Sequence, residues 1–337
     1  MTESVILVSG ANGEIGHGLI QALATLSGTP PILALDLNAL SSTLQPLVKY
    51  SVQGDILDAR LLARLNEQYR FDSVFHLAAI LSSQAERIPE AAHRINVEGT
   101  LNLLQLASEQ AQRYGRNVPF LFPSSIAVYG IPDLQTKRSL PPLQEDQHNL
   151  PGTMYGCNKL YGELLGRFYS HPAVPEPKLD FRVIRFPGII SAQTEPVGGS
   201  TDYLPQMLHA AHAGKPYTAF VRADTQLPFI TMPDATRALI RLWQAEKSLL
   251  QKQIYNINGW NCSAAEFAAK VREHYANAQI DFQADPLRQR IVDSWPTSLD
   301  DRVAREEWGW RAEHDLDAAF AAYFLPSLRG ASQPTST

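Results

Sequence analysis

Tyr155 and Lys159 stand four residues apart in Tyr155-Gly156-Cys157-Asn158-Lys159, a spacing that puts a phenol and an ammonium on one face of a helix. A free phenol has a pKa of ~10, too high for a base at neutral pH. An ammonium ~4 Å away stabilises the phenolate by up to ~4 kcal/mol at an effective dielectric of ~20. At ~1.4 kcal/mol per unit, that is a lowering of ~3 pKa units before desolvation opposes it. Such a phenolate can take the proton of an alcohol as hydride leaves the same carbon. A third group stands in Pro123-Ser124-Ser125-Ile126-Ala127-Val128-Tyr129-Gly130. The Ser125 hydroxyl can donate to the developing carbonyl oxygen, with Ser124 as its competitor. Because Tyr-x-x-x-Lys also occurs on ordinary helix surfaces, the redox reading depends on a cofactor site elsewhere.

That site is legible near the start. Gly10-Ala11-Asn12-Gly13-Glu14-Ile15-Gly16 ends an apolar run and opens an amphipathic stretch. Glycines let backbone approach a diphosphate closely, and the helix start offers free N–H groups and partial positive charge. The flanking strand and helix supply the context that a bare glycine pattern lacks. Asn12, Glu14 and Ile15 complete the turn. Asp36 follows Gly16 by twenty residues. Its carboxylate suits ribose hydroxyls and repels a 2′-phosphate. Leu37, Asn38 and Ala39 bring no arginine, so NAD is expected rather than NADP. In Gly54-Asp55-Ile56, Asp55 could take the adenine amino group or cap the next helix, with Ile56 beside it. Leu77, Ala78 and Ala79 close the fourth strand with little bulk, so a cofactor can lie flat, and His76 is read as a packed strand residue. The nicotinamide cation would further favour a Tyr155 phenolate.

The elements that must hold these groups alternate. Strands are expected at Val5–Ser9, Ile32–Asp36, Lys49–Gln53, Ser73–Leu77, Pro119–Pro123 and Phe181–Phe186. Helical faces are expected from Ile15 to Leu26 and over Asn96–Gln112. This pattern predicts a parallel sheet covered on both faces, with ligands beyond the strands' carboxyl ends. The fold class is therefore α/β: a Rossmann-type doubly wound sheet with a smaller C-terminal α/β substrate lobe. The division expected is 1–187 for NAD binding, 188–329 for the lobe, with room for the chain to cross between them, and 330–337 as a frayed tail. Helices at Leu204–Ala213, Asp234–Ala245 and Ala264–Ala276 and a strand at Ile254–Ile257 are assigned to the lobe. Ile131–Gly152, without a clear period, reads as a long loop.

A length of 337 residues fits this two-part plan. The net charge is −5 and no basic run occurs, which argues against nucleic-acid or polybasic membrane contacts. Cys157 and Cys262 form neither a disulfide framework nor a metal-ligand spacing, so no metal is expected and a reducing compartment is. The start, MTESVILVSG, lacks a signal-peptide pattern, and no apolar run is long enough for a bilayer. The expectation is a soluble, cytoplasmic protein.

Together, Gly10–Gly16, His76–Ala79, Asn96-Val97-Glu98-Gly99-Thr100, Ser124-Ser125…Tyr129-Gly130, Tyr155…Lys159 and Arg185-Phe186-Pro187-Gly188 resemble the extended short-chain dehydrogenase/reductase family over nearly the whole chain. The resemblance implies that Pro187, Gly188 and Ile189 flank the nicotinamide, that Asn96 supports the site, and that the protein is a homodimer. Further segments resemble the short-chain-type L-threonine 3-dehydrogenases of that family: Gly198–Tyr203, Arg222–Pro228, Asp293–Asp301, and Trp308-Gly309-Trp310 with Asp315-Leu316. The implied chemistry is oxidation of the threonine C3 hydroxyl to 2-amino-3-oxobutyrate with hydride passing to NAD⁺. Ser82, Gly199, Ser200 and Thr201 offer polar groups to a small zwitterion. Trp295 either closes the pocket or packs in the core. Asp202 either binds the ammonium or caps the helix after it. Two features depart from the subfamily: the length of 131–149, readable as a lid, an oligomer contact or an inert insertion, and Ser125 where threonine is frequent. Two rivals stand beside this reading. One is a nucleotide-sugar epimerase, with Arg222 or Arg288 to hold a diphosphate. The other is a non-catalytic NAD-binding regulator, which the intact Tyr155, Lys159 and Ser125 set opposes.

Overall fold

The computed structural model describes residues 3–171, 173, 179–194 and 198–331. Its strands are β1 (Glu3–Ser9), β2 (Ile32–Asp36), β3 (Tyr50–Gln53), β4 (Tyr69–His76), β5 (Val118–Ser125), β6 (Leu179–Phe186), β7 (Gly188–Ile190), β8 (Tyr217–Ala219), β9 (Gln226–Thr231), β10 (Ile254–Asn256), β11 (Trp260–Ser263) and β12 (Ile280–Phe282). The large sheet runs β3-β2-β1-β4-β5-β6-β10, and every pairing in it is parallel. The order reverses between β1 and β4, which opens a crevice at their carboxyl ends. This is the Rossmann-type arrangement that the alternation predicts.

Val5, Ile6, Leu7 and Val8 are all fully buried, as a central strand covered on both faces requires. Each such side chain contributes ~1.5–3 kcal/mol through burial. On one face Ile6 and Val8 pack with Leu19, Ile20 and Leu23 of helix Glu14–Ala24 and with Ala235, Ala238 and Leu239 of helix Met232–Gln244. On the other, Val5 and Leu7 meet Leu103, Leu104 and Ala107 of helix Gly99–Tyr114. That helix continues a π-helical turn, Arg94–Glu98, which carries Asn96. The smaller lobe has β9 between β7 and β11, with β8 paired to β12. Helices Tyr203–His212 and Ala264–His274 close it over Met207, Leu208, Phe267 and Phe320.

Four local expectations change. The helix expected in the lobe at Asp234–Ala245 packs instead, as Met232–Gln244, on the large sheet against Ile6 and Val8, because its apolar face carries Ala235, Ala238 and Leu239. The strand expected in the lobe at Ile254–Ile257 joins the large sheet instead, with Tyr255 opposite Ile184 on β6. Tyr255 and Ile257 are fully buried in the same cluster as Ile184 and Leu242, so apolar demand at the open edge of β6 draws the chain back. The segment expected as a bare loop contains a helix, Leu134–Ser139, whose first turn is capped by the Asp133 carboxylate accepting from the Thr136 N–H. It is too short to display an apolar period. Gly330 and Ala331, expected in the tail, belong to helix Leu325–Ala331, and the rest of that expectation, 332–337, lies outside the described residues. Among the described residues no helix is long and apolar enough to cross a membrane.

Candidate active site

Tyr155 and Lys159 lie on helix Met154–Tyr169. Its start is fixed twice. The Thr153 hydroxyl accepts from the Gly156 N–H at 3.0 Å, and the Glu86 carboxylate accepts from the Met154 N–H at 2.6 Å and the Tyr155 N–H at 3.4 Å. The first turn then lies directly on the strand ends. A Cβ on Gly156 would sit 2.0 Å from the Ala127 carbonyl oxygen, so only glycine permits that approach. The approach brings Tyr155 and Lys159 beside Pro123, Ser124 and Ser125 in one cavity.

Lys159 is buried. Its ammonium donates to the Pro123 carbonyl at 2.7 Å and stands 4.7 Å from the Phe122 ring centroid. Burial pushes it down to about 8, against the raising influence of Glu163. Half-buried Tyr155 departs from expectation, because burial pushes its phenol well above the ordinary range. Within the protein alone, desolvation outweighs the ammonium. Ser124 and Ser125 separate cleanly. The Ser124 hydroxyl donates to Glu163 at 2.5 Å, and Glu163 is in turn clamped by Arg185 at 2.6 and 2.9 Å. Among the described residues the Ser125 hydroxyl accepts from the Ala127 N–H alone, at 3.1 Å, and it borders the cavity. His76 is a packed strand residue, held by Ser9 and Thr100 at 2.8 Å each. Burial, with Lys159 nearby, pushes it down to about 3.

The glycine turn forms the adjoining wall: Gly10, Gly13, Glu14, Ile15 and Gly16 line the same cavity, with Leu77 and Ala79 opposite. Gly10 has φ +71°, and a Cβ there would lie 2.5 Å from the Ala78 nitrogen. No side chain caps the helix that begins at Glu14, so its first N–H groups remain available to an anion. The cradle therefore fits a dinucleotide diphosphate. Asp36 accepts from the Asn12 and Asn38 N–H groups at 2.9 Å each, and the Asn12 amide donates to the Ala39 carbonyl at 2.9 Å. The turn and the end of β2 are thereby fastened together. Leu37 and Asp55 are exposed and Ile56 is buried, all beyond the lined cavity. The cap expected of Asp55 belongs to Asp58, which accepts from the Arg60 and Leu61 N–H groups. Asn96 braces the loop after β4, bonding the Ile80 N–H at 2.7 Å and the Ile80 carbonyl at 3.0 Å. Its amide reaches Asn158 at 3.3 Å.

Pro187, Gly188 and Ile189 carry the cavity from β6 into the smaller lobe, where Ser82, Gly199, Thr201 and Trp295 also line it. Ser200 does not: its hydroxyl is 3.3 Å from that of Ser83, and its N–H donates to the Ser82 hydroxyl at 3.1 Å. The cap expected of Asp202 is not seen, although its side chain borders the cavity. It gives no cap bond to helix Tyr203–His212. Instead its carboxylate accepts from the Gly198 and Gly199 N–H groups at 2.8 and 2.5 Å and shapes the loop. Trp295 is 3% exposed and belongs to the lobe's core cluster, as the packing reading expects, and it also lines the cavity.

The long segment after Tyr129 backs Trp295 from behind. Ile131 N–H donates to Ser294 at 2.9 Å, Leu143 N–H to Ser298 at 3.1 Å, and Asp300 N–H to Leu143 at 2.9 Å. Buried Lys137 donates to the Val292 carbonyl at 2.8 Å.

Sequence reasoning missed Glu163, Glu86, Leu81, Ile126, Phe186 and Met232. Glu163 had a signal: it follows Lys159 by one more helical repeat, on the same face. Ile126 and Phe186 stand inside quoted motifs whose other residues drew the attention, whereas Glu86, Leu81 and Met232 reach the site or its helix through tertiary packing and carry no motif.

A family model described as the NAD dependent epimerase/dehydratase family matches residues 6–258. Over 318 residues, 92% of this chain and 79% of the relative, the chain is 32% identical to a protein named L-threonine 3-dehydrogenase, mitochondrial, from Bos taurus. An uncharacterized epimerase/dehydratase from Staphylococcus aureus is 35% identical over 322 residues, 92% of each chain. Among solved structures, the holo form of an L-threonine dehydrogenase from Cupriavidus necator superposes with a TM-score of 0.84 at 34% identity, covering 97% of this chain and 99% of that one.

Proposed function

The chain belongs to the NAD dependent epimerase/dehydratase family, and from that premise we propose that it oxidises the C3 hydroxyl of L-threonine to give 2-amino-3-oxobutyrate. The observation that carries this reading is the charge of the cavity. Among the described residues lining it, Lys159 is the one cation, and no arginine reaches it. Arg222 is held by Asp293 through two bonds of 2.9 Å and by Asp224 at 3.0 Å. Arg288 donates to the Gly199 carbonyl at 2.9 Å and lies 3.2 Å from the Phe220 centroid. A nucleotide-sugar epimerase would need a cation for the second diphosphate. A small zwitterion needs only hydroxyls and a carboxylate, which Ser82, Thr201 and Asp202 supply.

NAD⁺, when bound, supplies the hydride acceptor and a positive ring. Gly10, Gly13 and the N–H groups of Glu14, Ile15 and Gly16 hold its diphosphate. Asp36, Leu37, Asp55 and Ile56 follow the adenosine, and Ala78, Ser124 and Pro187–Ile189 border the nicotinamide end. Tyr155 Oη takes the proton of the substrate hydroxyl, Lys159 Nζ favours the phenolate, and Ser125 Oγ donates to the oxygen that becomes a carbonyl. Trp295 excludes water. The test is NADH formation. It should accumulate with L-threonine and not with UDP-sugars, and Tyr155→Phe should lower the rate ~100-fold or more. NAD⁺-dependent interconversion of UDP-sugars, with no NADH from threonine, would establish the epimerase instead.

The protein acts as a homodimer in this reading. Tyr161, Leu164 and Phe168 are 49%, 50% and 65% exposed in one stripe of helix Met154–Tyr169, and such apolar stripes mark interfaces. The compartment is the cytoplasm, consistent with Cys157 and Cys262 being free thiols. A monomer by analytical ultracentrifugation would contradict the first statement, and organelle import the second.

A further inference from the structure

Glu14 is the one acid in the first turn of the cradle helix, and its surroundings are unlike those of an ordinary surface glutamate. It is half-buried in the cavity wall between Gly13 and Ile15. One carboxyl oxygen accepts from the Thr194 hydroxyl at 2.9 Å, across from one lobe to the other. The same hydroxyl lies 2.8 Å from Ser191 Oγ, and the Ala192 N–H beside it donates to Tyr323 Oη at 3.1 Å. Among the described residues, the groups facing Glu14 are thus neutral hydroxyls from the 191–194 segment, the Tyr323 phenol from the π-helical turn Ala319–Phe324, and the Asp202 carboxylate. Asp202 shares the cavity and repels it. Among the described residues no cation pairs with Glu14, and the helix N-terminus adds a partial positive charge beside it. Burial foremost, then Asp202, against the lowering Thr194 bond, push the carboxyl up to about 7.

A diphosphate held by the N–H groups of Glu14, Ile15 and Gly16 adds negative charge next to this carboxyl. We propose that Glu14 binds a proton when NAD⁺ binds, so that cofactor affinity is coupled to pH through this one side chain and its bond to Thr194. The sign follows from linkage. Below neutrality the carboxyl is protonated in both states and affinity does not change with pH. Above it the free protein has lost a proton that the complex regains, so affinity falls as pH rises. If the complex stays protonated, the dissociation constant rises about tenfold between pH 6 and 8 for a group titrating near 7. The acid form of Glu14 accepts and donates within the hydroxyl cluster, so the link between lobes survives protonation.

The experiment is calorimetric titration of the full-length protein with NAD⁺ from pH 6 to 9, repeated at pH 8 in buffers of different ionisation heat. The expected result is a Kd that weakens above neutrality and net uptake approaching one proton per NAD⁺. Glu14→Gln should flatten the curve and abolish the uptake. Thr194→Val removes the bond that lowers the carboxyl and should move the onset to higher pH. A wild-type Kd independent of pH, or no proton uptake, overturns the proposal. So does a Glu14→Gln protein that follows the wild-type curve, which would assign the dependence to Lys159, the other group of the cavity that titrates near this range.

Discussion

Replacing Glu163 with leucine tests how the catalytic face is held together. Glu163 is fully inaccessible, and its carboxylate accepts from Ser124 Oγ and from two nitrogens of Arg185. Arg185 is 1% exposed, and its other bonds go to the Glu145 carbonyl at 2.7 Å and Asn149 Oδ1 at 3.0 Å. Glu163→Leu leaves that guanidinium buried without a counter-charge, which costs ~3–5 kcal/mol. The orphaned Ser124 hydroxyl adds ~1 kcal/mol. Urea unfolding followed by circular dichroism should show a loss of ~4–6 kcal/mol, and the paired change Glu163→Leu with Arg185→Met should recover most of it, because no charge is then stranded. Lys159 should respond too. Glu163 is what raises its ammonium against burial, so the single variant should lose activity at a lower pH than the wild type. A stability loss below ~1 kcal/mol, or a paired variant no better than the single one, would refute this account of the buried charge pair.

Two further outcomes follow from the same structure. His76 titrates at about 3 when folded and near 6.5 when unfolded. Between those values the unfolded chain binds the extra proton, so stability falls as pH falls through that window, by ~2 kcal/mol between pH 6.5 and 5. His76→Gln should remove that part of the acid sensitivity in urea titrations at the two pH values, and an unchanged slope would reject it. Lys137→Met should loosen the Val292 carbonyl behind Trp295. The expected effect is a several-fold higher KM for the substrate with kcat changed less, read from NADH-formation kinetics. An equal fall in kcat at constant KM would instead place the segment in the chemical step.

The strands and the site were legible to different depths. Ile32–Asp36 has its bounds in the sequence because four apolar residues end at a carboxylate. β4 begins earlier than its apolar run suggests, since Tyr69, Arg70 and Asp72 are only half-buried and the continuous buried stretch starts at Ser73. The short helix at Leu134–Ser139 and the return of β10 to the large sheet were hidden for a shared reason. Elements of three to six residues are selected by the surface waiting for them, here the open side of β6 and the back of residues 292–300. The site divides in the same way. Gly10, Gly13, Gly16, Asp36, Tyr155 and Lys159 follow one another at spacings that backbone geometry dictates. Asp202 gives no cap bond to the helix it precedes, because its carboxylate accepts from the Gly198 and Gly199 N–H groups of its own loop.

The local chain by itself determined the chemistry. It set the alternation that makes a parallel sheet, the glycines that admit a diphosphate, and the phenol–ammonium pair on one helical face. All of these arise from contacts or periodicities within a few residues. The tertiary structure decided what that chemistry faces. It assigned Ser124 to Glu163 and left Ser125 bordering the cavity. It engaged Arg222 with Asp293 and Arg288 with the Gly199 carbonyl, neither of them lining the cavity, and it set Glu14 between Thr194 and Asp202. It also raised the Tyr155 phenol above its ordinary range, where the spacing to Lys159 alone predicts a lowering. Desolvation and charge pairing depend on which distant segments exclude water from a group, and residue spacing along the chain does not carry that information.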